Sequence, residues 1–120
     1  MPESRHVGVW INRPPEEVYA FASDLENLPR WAAGVAQGLG DVTVEFVPTN
    51  DFGVLDHVVT LPSGETFYNP MRVIPADRGE SGCEVVFTLR ARGMTDEQVD
   101  ADEAAVAADL ATLRRLLEEN

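Results

Sequence analysis

A chain of 120 residues is enough for one domain with a single core and a modest cavity. Its 44% hydrophobic and 25% charged residues are ordinary for a globular protein, and no apolar run is long enough to cross a bilayer. The net charge of −12 argues against nucleic acid and anionic membrane as partners, since both are bound through basic patches; an acid excess serves solubility instead. The absence of a secretory leader and the single cysteine, Cys83, which has no internal partner for a disulfide, give the expectation of one cytoplasmic domain over residues 1–120.

Residues 5–11 (RHVGVWI) alternate and are rich in branched and aromatic side chains, which predicts a first strand. Asn12 followed by Pro14 and Pro15 predicts a helix start, with Asn12 as cap and Glu16 and Glu17 at the positive end of the dipole. Val18, Phe21, Ala22 and Leu25 recur at helical spacing and predict its buried face. Asn27 with Leu28-Pro29 predicts a second short helix, so that two helices meet near Asp24, which is expected to act as a local cap or backbone acceptor. Trp31 closes this pair against the mouth between sheet and terminal helix, with its indole N–H expected to meet a polar partner at the rim.

Strands are predicted at 42–47, 54–61, 65–74 and 83–91, with a further short one at 34–38. The turn-rich links PTNDFG, PSG and ADRGESG are short, which predicts an antiparallel meander. Thr95-Asp96-Glu97-Gln98 is a capping-box sequence, and Val99, Val106, Leu110, Leu113 and Leu117 then form one stripe of a helix of about six turns. The fold class that results is α+β, one curved antiparallel sheet around a long C-terminal helix, with two short helices after the first strand.

The Pro62-Ser63-Gly64 hairpin sets the register. With a three-residue loop and Gly64 in the left-handed position, Leu61 faces Glu65, and Val59, His57 and Leu55 face Phe67, Asn69 and Met71. These residues share one side of the sheet with Val73, Cys83, Val85, Phe87 and Leu89, and that side should face the terminal helix. The other side carries Asp56, Thr60, Thr66, Tyr68, Arg72, Glu84, Thr88 and Arg90, as expected of a solvated surface. His57 and Asn69 are then polar exceptions on an apolar wall, and they must bond one another, hold a water or meet a ligand. A loop one residue longer or shorter would turn the opposite side inward, with Tyr68 and Arg72 as its polar pair, and Pro70 is a point where a bulge can enter.

The order of elements resembles the helix-grip fold of the START-like (SRPBCC) superfamily, which includes polyketide cyclase/dehydrase and lipid-transport relatives. "INRPPEEVYAFASDLENLPRW" is similar to its first strand and helix pair, "PMRVIP" and "CEVVFTL" to its later strands, and "GMTDEQVDADEAAVAADLATLRRLLEE" to its closing helix. The chain is short for that superfamily, which argues against a large cavity.

Other chemistry is not legible. His6, His57 and Cys83 are too few and too scattered for a zinc signature, and Asp100, Asp102 and Glu103 are expected to be a solvated helix face. Gly34, Gly38 and Gly40 lack phosphate-loop spacing, Ser23, Ser63 and Ser81 lack a nucleophile-elbow context, and no cofactor is indicated. The expected function is binding of a small apolar or aromatic molecule, lipid- or polyketide-like. Phe67, Met71, Phe87 and Trp31 would supply contact area, and His57 and Asn69 would orient a ligand oxygen. The resemblance also permits a cyclase/dehydrase-type enzyme with His57 as the catalytic candidate exchanging a proton. A third reading is an interaction module with a filled core, as a homodimer through the exposed sheet surface.

Overall fold

The computed structural model describes residues 3–32, 42–91 and 93–119. Among them the order is β1 (Arg5–Ile11), α1 (Pro15–Ala22), α2 (Leu28–Trp31), β2 (Thr43–Phe46), β3 (His57–Thr60), β4 (Thr66–Asn69), β5 (Met71–Pro75), β6 (Cys83–Leu89) and α3 (Asp96–Glu118). The strand expected at 34–38 lies outside the described residues.

All pairings are antiparallel, in two ladders ordered β1-β6-β5 and β2-β3-β4. The ladders are joined because β4 and β5 are consecutive and only Pro70 separates them. The Thr88 N–H donates to the Pro70 carbonyl at 2.9 Å, which carries β6 past the break. The expected strand 65–74 is thus divided, since proline has no N–H to give to a ladder.

The hairpin forms as the sequence requires. Leu61 N–H donates to Glu65 O at 2.9 Å, and Gly64 has φ +91°. Val59 lies opposite Phe67 and His57 opposite Asn69. The same register continues beyond β3, where Leu55 N–H donates to Met71 O at 2.8 Å and Val54 bridges Arg72. Asp56 therefore sits across from Pro70.

The inner face is buried as alternation demands: Leu55, Val59, Met71, Val73, Cys83 and Val85 are each at most 5% exposed. Against it lies α3, whose Leu110, Leu113 and Leu117 are buried, with Val106 partly so. Burying a leucine contributes about 2 to 3 kcal/mol, so this stripe and the sheet hold each other in place. The capping box at Thr95 is complete. Thr95 Oγ1 accepts from Gln98 N–H and Gln98 Oε1 accepts from Thr95 N–H, so two orphan donors of the first turn are satisfied. Asp100 and Glu103 do more than face solvent, since both hold the Arg5 guanidinium of β1.

The helix pair departs from expectation in its details. The cap of α1 is Pro14, without a side-chain bond, while the Asn12 N–H donates to Glu118 Oε2 at 2.8 Å and ties β1 to the end of α3. Because α1 stops at Ala22, Leu25 falls beyond its buried face and is 54% exposed. Asp24 is a local backbone acceptor, taking the Glu26 N–H at 3.0 Å. Asn27 begins α2 without a cap bond and instead donates through Nδ2 to Phe21 O. This elbow turns Trp31 inward to 5% exposure.

Candidate functional site

Where α2, α3 and the concave side of the sheet meet, the structure encloses a hollow of about 60 Å³. One wall is helical, from Leu28 and Trp31 of α2 and Val106 and Leu110 of α3; the other is the sheet, through Val44, Val59 and Phe87. Three polar side chains interrupt this apolar lining: His57, Asn69 and Asp109. Asp109 is reached from α3, one position before the buried Leu110, and the sequence reading did not single it out.

His57 is 8% exposed, and its ring sits between Phe46 and Phe87 with centroids 5.3 and 5.9 Å away. Nδ1 lies 2.9 Å from the Leu55 carbonyl. A carbonyl can only accept, so Nδ1 carries the proton and donates. Burial lowers the pKa of the ring, more than the Leu55 carbonyl and the Asp56 charge raise it, and His57 is held neutral. Its Nε2 is then the acceptor of the ring. His57 and Asn69 are cross-strand neighbours in the register, but their side chains make no hydrogen bond to each other.

Trp31 gives a correction. Its indole Nε1–H lies buried and not at the rim, without a hydrogen-bond partner among the described residues.

Four other expected contact residues lie elsewhere. Met71 is fully buried within the core and does not line the hollow. Phe67 keeps its register opposite Val59 but is 47% exposed, because β4 is the outer strand of its ladder while Val59 lies on the central one. Tyr68 and Arg72 are on the outer face, as the three-residue loop requires, and both are turned toward Asp56.

Asp56 was expected on a solvated surface and is instead only 4% exposed. Its carboxylate accepts from Tyr68 Oη at 2.7 Å, Met71 N–H at 2.9 Å, and Arg72 Nε and an Arg72 terminal nitrogen at 3.0 and 2.9 Å. It thereby takes up the Met71 N–H at the point where Pro70 breaks the ladder. Burial pushes the carboxyl pKa up, but hydrogen bonds from Arg72, Tyr68 and Met71 together outweigh it and hold the group at about 2. The tyrosine pKa is raised in turn by its bond to this carboxylate. The signal for this cluster was in the register: Tyr68 and Arg72 flank Pro70 at the diagonal positions around Asp56. It is a structural clasp on the outer face, away from the hollow.

Cys83 is buried, its thiol pushed up to about 11 chiefly by that burial, and offers no nucleophile near neutral pH. Among the described residues no three His, Cys, Asp or Glu side chains cluster as metal ligands, and no helix is long and apolar enough to cross a membrane.

A curved antiparallel sheet gripping a long C-terminal helix, with a helix pair closing the gap, defines the START-like helix-grip fold. Solved structures bear this out across nearly the whole chain. DynU16, a protein of the dynemicin biosynthetic locus, superposes with a TM-score of 0.74 at 14% identity over 98% of this chain, which spans only 48% of DynU16. The Aha1 dimer of Colwellia psychrerythraea gives 0.63 at 15% identity, covering 98% of this chain and 97% of that one. CalU16 of Micromonospora echinospora gives 0.62 at 12% identity, covering 95% and 73%. No family model matches the sequence, and no curated protein matches it.

Proposed function

We propose that this chain binds a small apolar or aromatic molecule, lipid- or polyketide-like in character, in the hollow between the sheet and α3. The observation that carries the reading is an apolar hollow between sheet and helix whose lining includes the polar side chains of His57, Asn69 and Asp109. A core built only for packing avoids such groups, whereas ligand sites place a few polar groups in apolar surroundings. The helix-grip fold, the resemblance to lipid-transport and polyketide-cyclase relatives, and the likeness to a protein of the dynemicin biosynthetic locus support the same class of guest.

Size limits the guest. The hollow of about 60 Å³ is less than half the roughly 150 Å³ that admits benzene into an apolar core. Uptake of one ring therefore needs outward movement of half-buried wall residues such as Leu28, Val44 or Val106. The test is a thermal-shift screen of single-ring aromatics and short-chain lipids on the wild type and on Val106→Phe, which fills the hollow. Native-state binding at about a hundredfold over Kd adds about 2.7 kcal/mol, several degrees in Tm. A rise seen in the wild type and lost in Val106→Phe is expected. No rise with any compound, or an equal rise in both proteins, would refute the reading.

One observation also favours a catalytic variant of this reading, an enzyme of polyketide cyclase/dehydrase type. His57 lines the hollow, and with Nδ1 donating to the Leu55 carbonyl its neutral ring keeps Nε2 as a proton acceptor. Turnover that His57→Ala abolishes while binding survives would establish it; binding without turnover in the wild type would leave a carrier.

A further inference from the structure

The outer face of the β1-β6-β5 ladder carries a row of side chains that packing against α3 does not use. Trp10, Glu84 and Ile74 are successive cross-strand partners, and they point away from the side that buries Ile11 and Cys83. Trp10 is 46% and Ile74 44% exposed, on either side of the Glu84 carboxylate. Together they line an open cleft of about 260 Å³, to which the loop between β5 and β6 adds two more acids, Asp77 and Glu80. The indole is held in place there. Gly82, with φ +116°, lies against it, and a Cβ at that position would come within 2.5 Å of Trp10 Cζ2. The loop is closed by the Ala76 N–H, which donates to Gly82 O at 3.3 Å. A fixed aromatic surface loses little conformational freedom when a partner covers it.

Charge decides what can cover this surface. No basic side chain among the described residues lines the cleft, and Asp77, Glu80 and Glu84 make no ion pair among those residues. Arg72, two positions before Ile74 on the same face, is engaged by Asp56. A second copy of the chain docked face to face would set these acids against their own kind, between molecules of net charge −12. An acid excess that served solubility alone would not adjoin exposed apolar surface. An arginine meets every element of the cleft: its guanidinium stacks on an indole and pairs with carboxylates, and its aliphatic stem covers an apolar neighbour.

We propose that this face docks a basic segment of a partner protein, with an arginine side chain over the Trp10 indole, its charge toward Glu84 and its stem on Ile74. The site is on the face of the sheet opposite the hollow and is independent of any guest there. The probe is a capped Gly-Arg-Ala-Arg-Gly peptide, compared with its neutral citrulline analogue in proton–nitrogen correlation spectra of the full chain. The arginine peptide should move the Trp10 indole resonance saturably and leave that of Trp31 in place, and the citrulline peptide should do neither. Trp10→Ala and Glu84→Gln should each weaken binding about threefold or more, the scale of one exposed cation–π contact or charge pair. Asp102→Asn, the same loss of charge on the exposed face of α3, should change it by less. Equal response to both peptides, a Trp10 resonance that stays still, or equal weakening by Glu84→Gln and Asp102→Asn would overturn the proposal. So would movement of the Trp10 resonance with protein concentration alone, which would make the occupant a second copy. The wild-type comparison of the two peptides decides the matter even if Trp10→Ala, which loses the Gly82 contact, does not fold.

Discussion

Asp56→Asn is the substitution whose consequence the structure defines most fully. The side chain keeps its shape but loses its charge, and it turns an NH2 group toward donors that now have only one oxygen to share. The carboxyl is held at about 2 in the fold against an ordinary 3.8. That difference corresponds to about 2 kcal/mol of folding stability at neutral pH, carried by the ionised form. Because the folded pKa is depressed, this stability is complete well above pH 3.8 and is lost as pH falls toward 2, with about half remaining near pH 3. Asn has no proton to gain, so the deficit of Asp56→Asn should be about 2 kcal/mol or more at pH 7 and should shrink on acidification. Urea denaturation of both proteins at pH 7, 5, 4 and 3 measures this directly. A deficit below about 0.5 kcal/mol at pH 7, of the size expected for an ordinary surface change, or one that stays constant to pH 3, would refute the clasp at Pro70.

Two glycines with left-handed backbones should respond unequally to alanine. A Cβ at Gly53, φ +72°, would come within 2.3 Å of the Val73 carbonyl oxygen, whereas one at Gly64, φ +91°, meets nothing within 4 Å. Gly64→Ala should cost about 1 kcal/mol of backbone strain and Gly53→Ala distinctly more, by the same urea titrations. Thr95→Ala removes one arm of the capping box and should cost about 1 kcal/mol, leaving any ligand affinity unchanged, since Thr95 is not among the residues lining the hollow. Cys83 should resist thiol reagents at pH 8 in the native protein and react once urea unfolds it; prompt native-state labelling would contradict its burial.

Much of this architecture was legible in local chemistry. Gly64 at the end of a three-residue loop fixed the register that sets His57 opposite Asn69, and Thr95 with Gln98 marked the start of α3. What escaped the sequence depends on depth more than on facing. Alternation assigns Asp56 and Phe67 to faces correctly, yet it cannot say that Tyr68 and Arg72 fold over the first, or that the second lies on an outer strand.

The central claim is that the hollow beside Trp31 and His57 takes up a small apolar guest. The chain has two tryptophans, Trp31 within that hollow and Trp10 half exposed elsewhere, so two indole cross-peaks in a proton–nitrogen correlation spectrum report on the site and on a control. Titration with phenol should move the Trp31 indole resonance saturably and leave that of Trp10 in place. Movement of Trp10 alone, or of neither, would contradict the account.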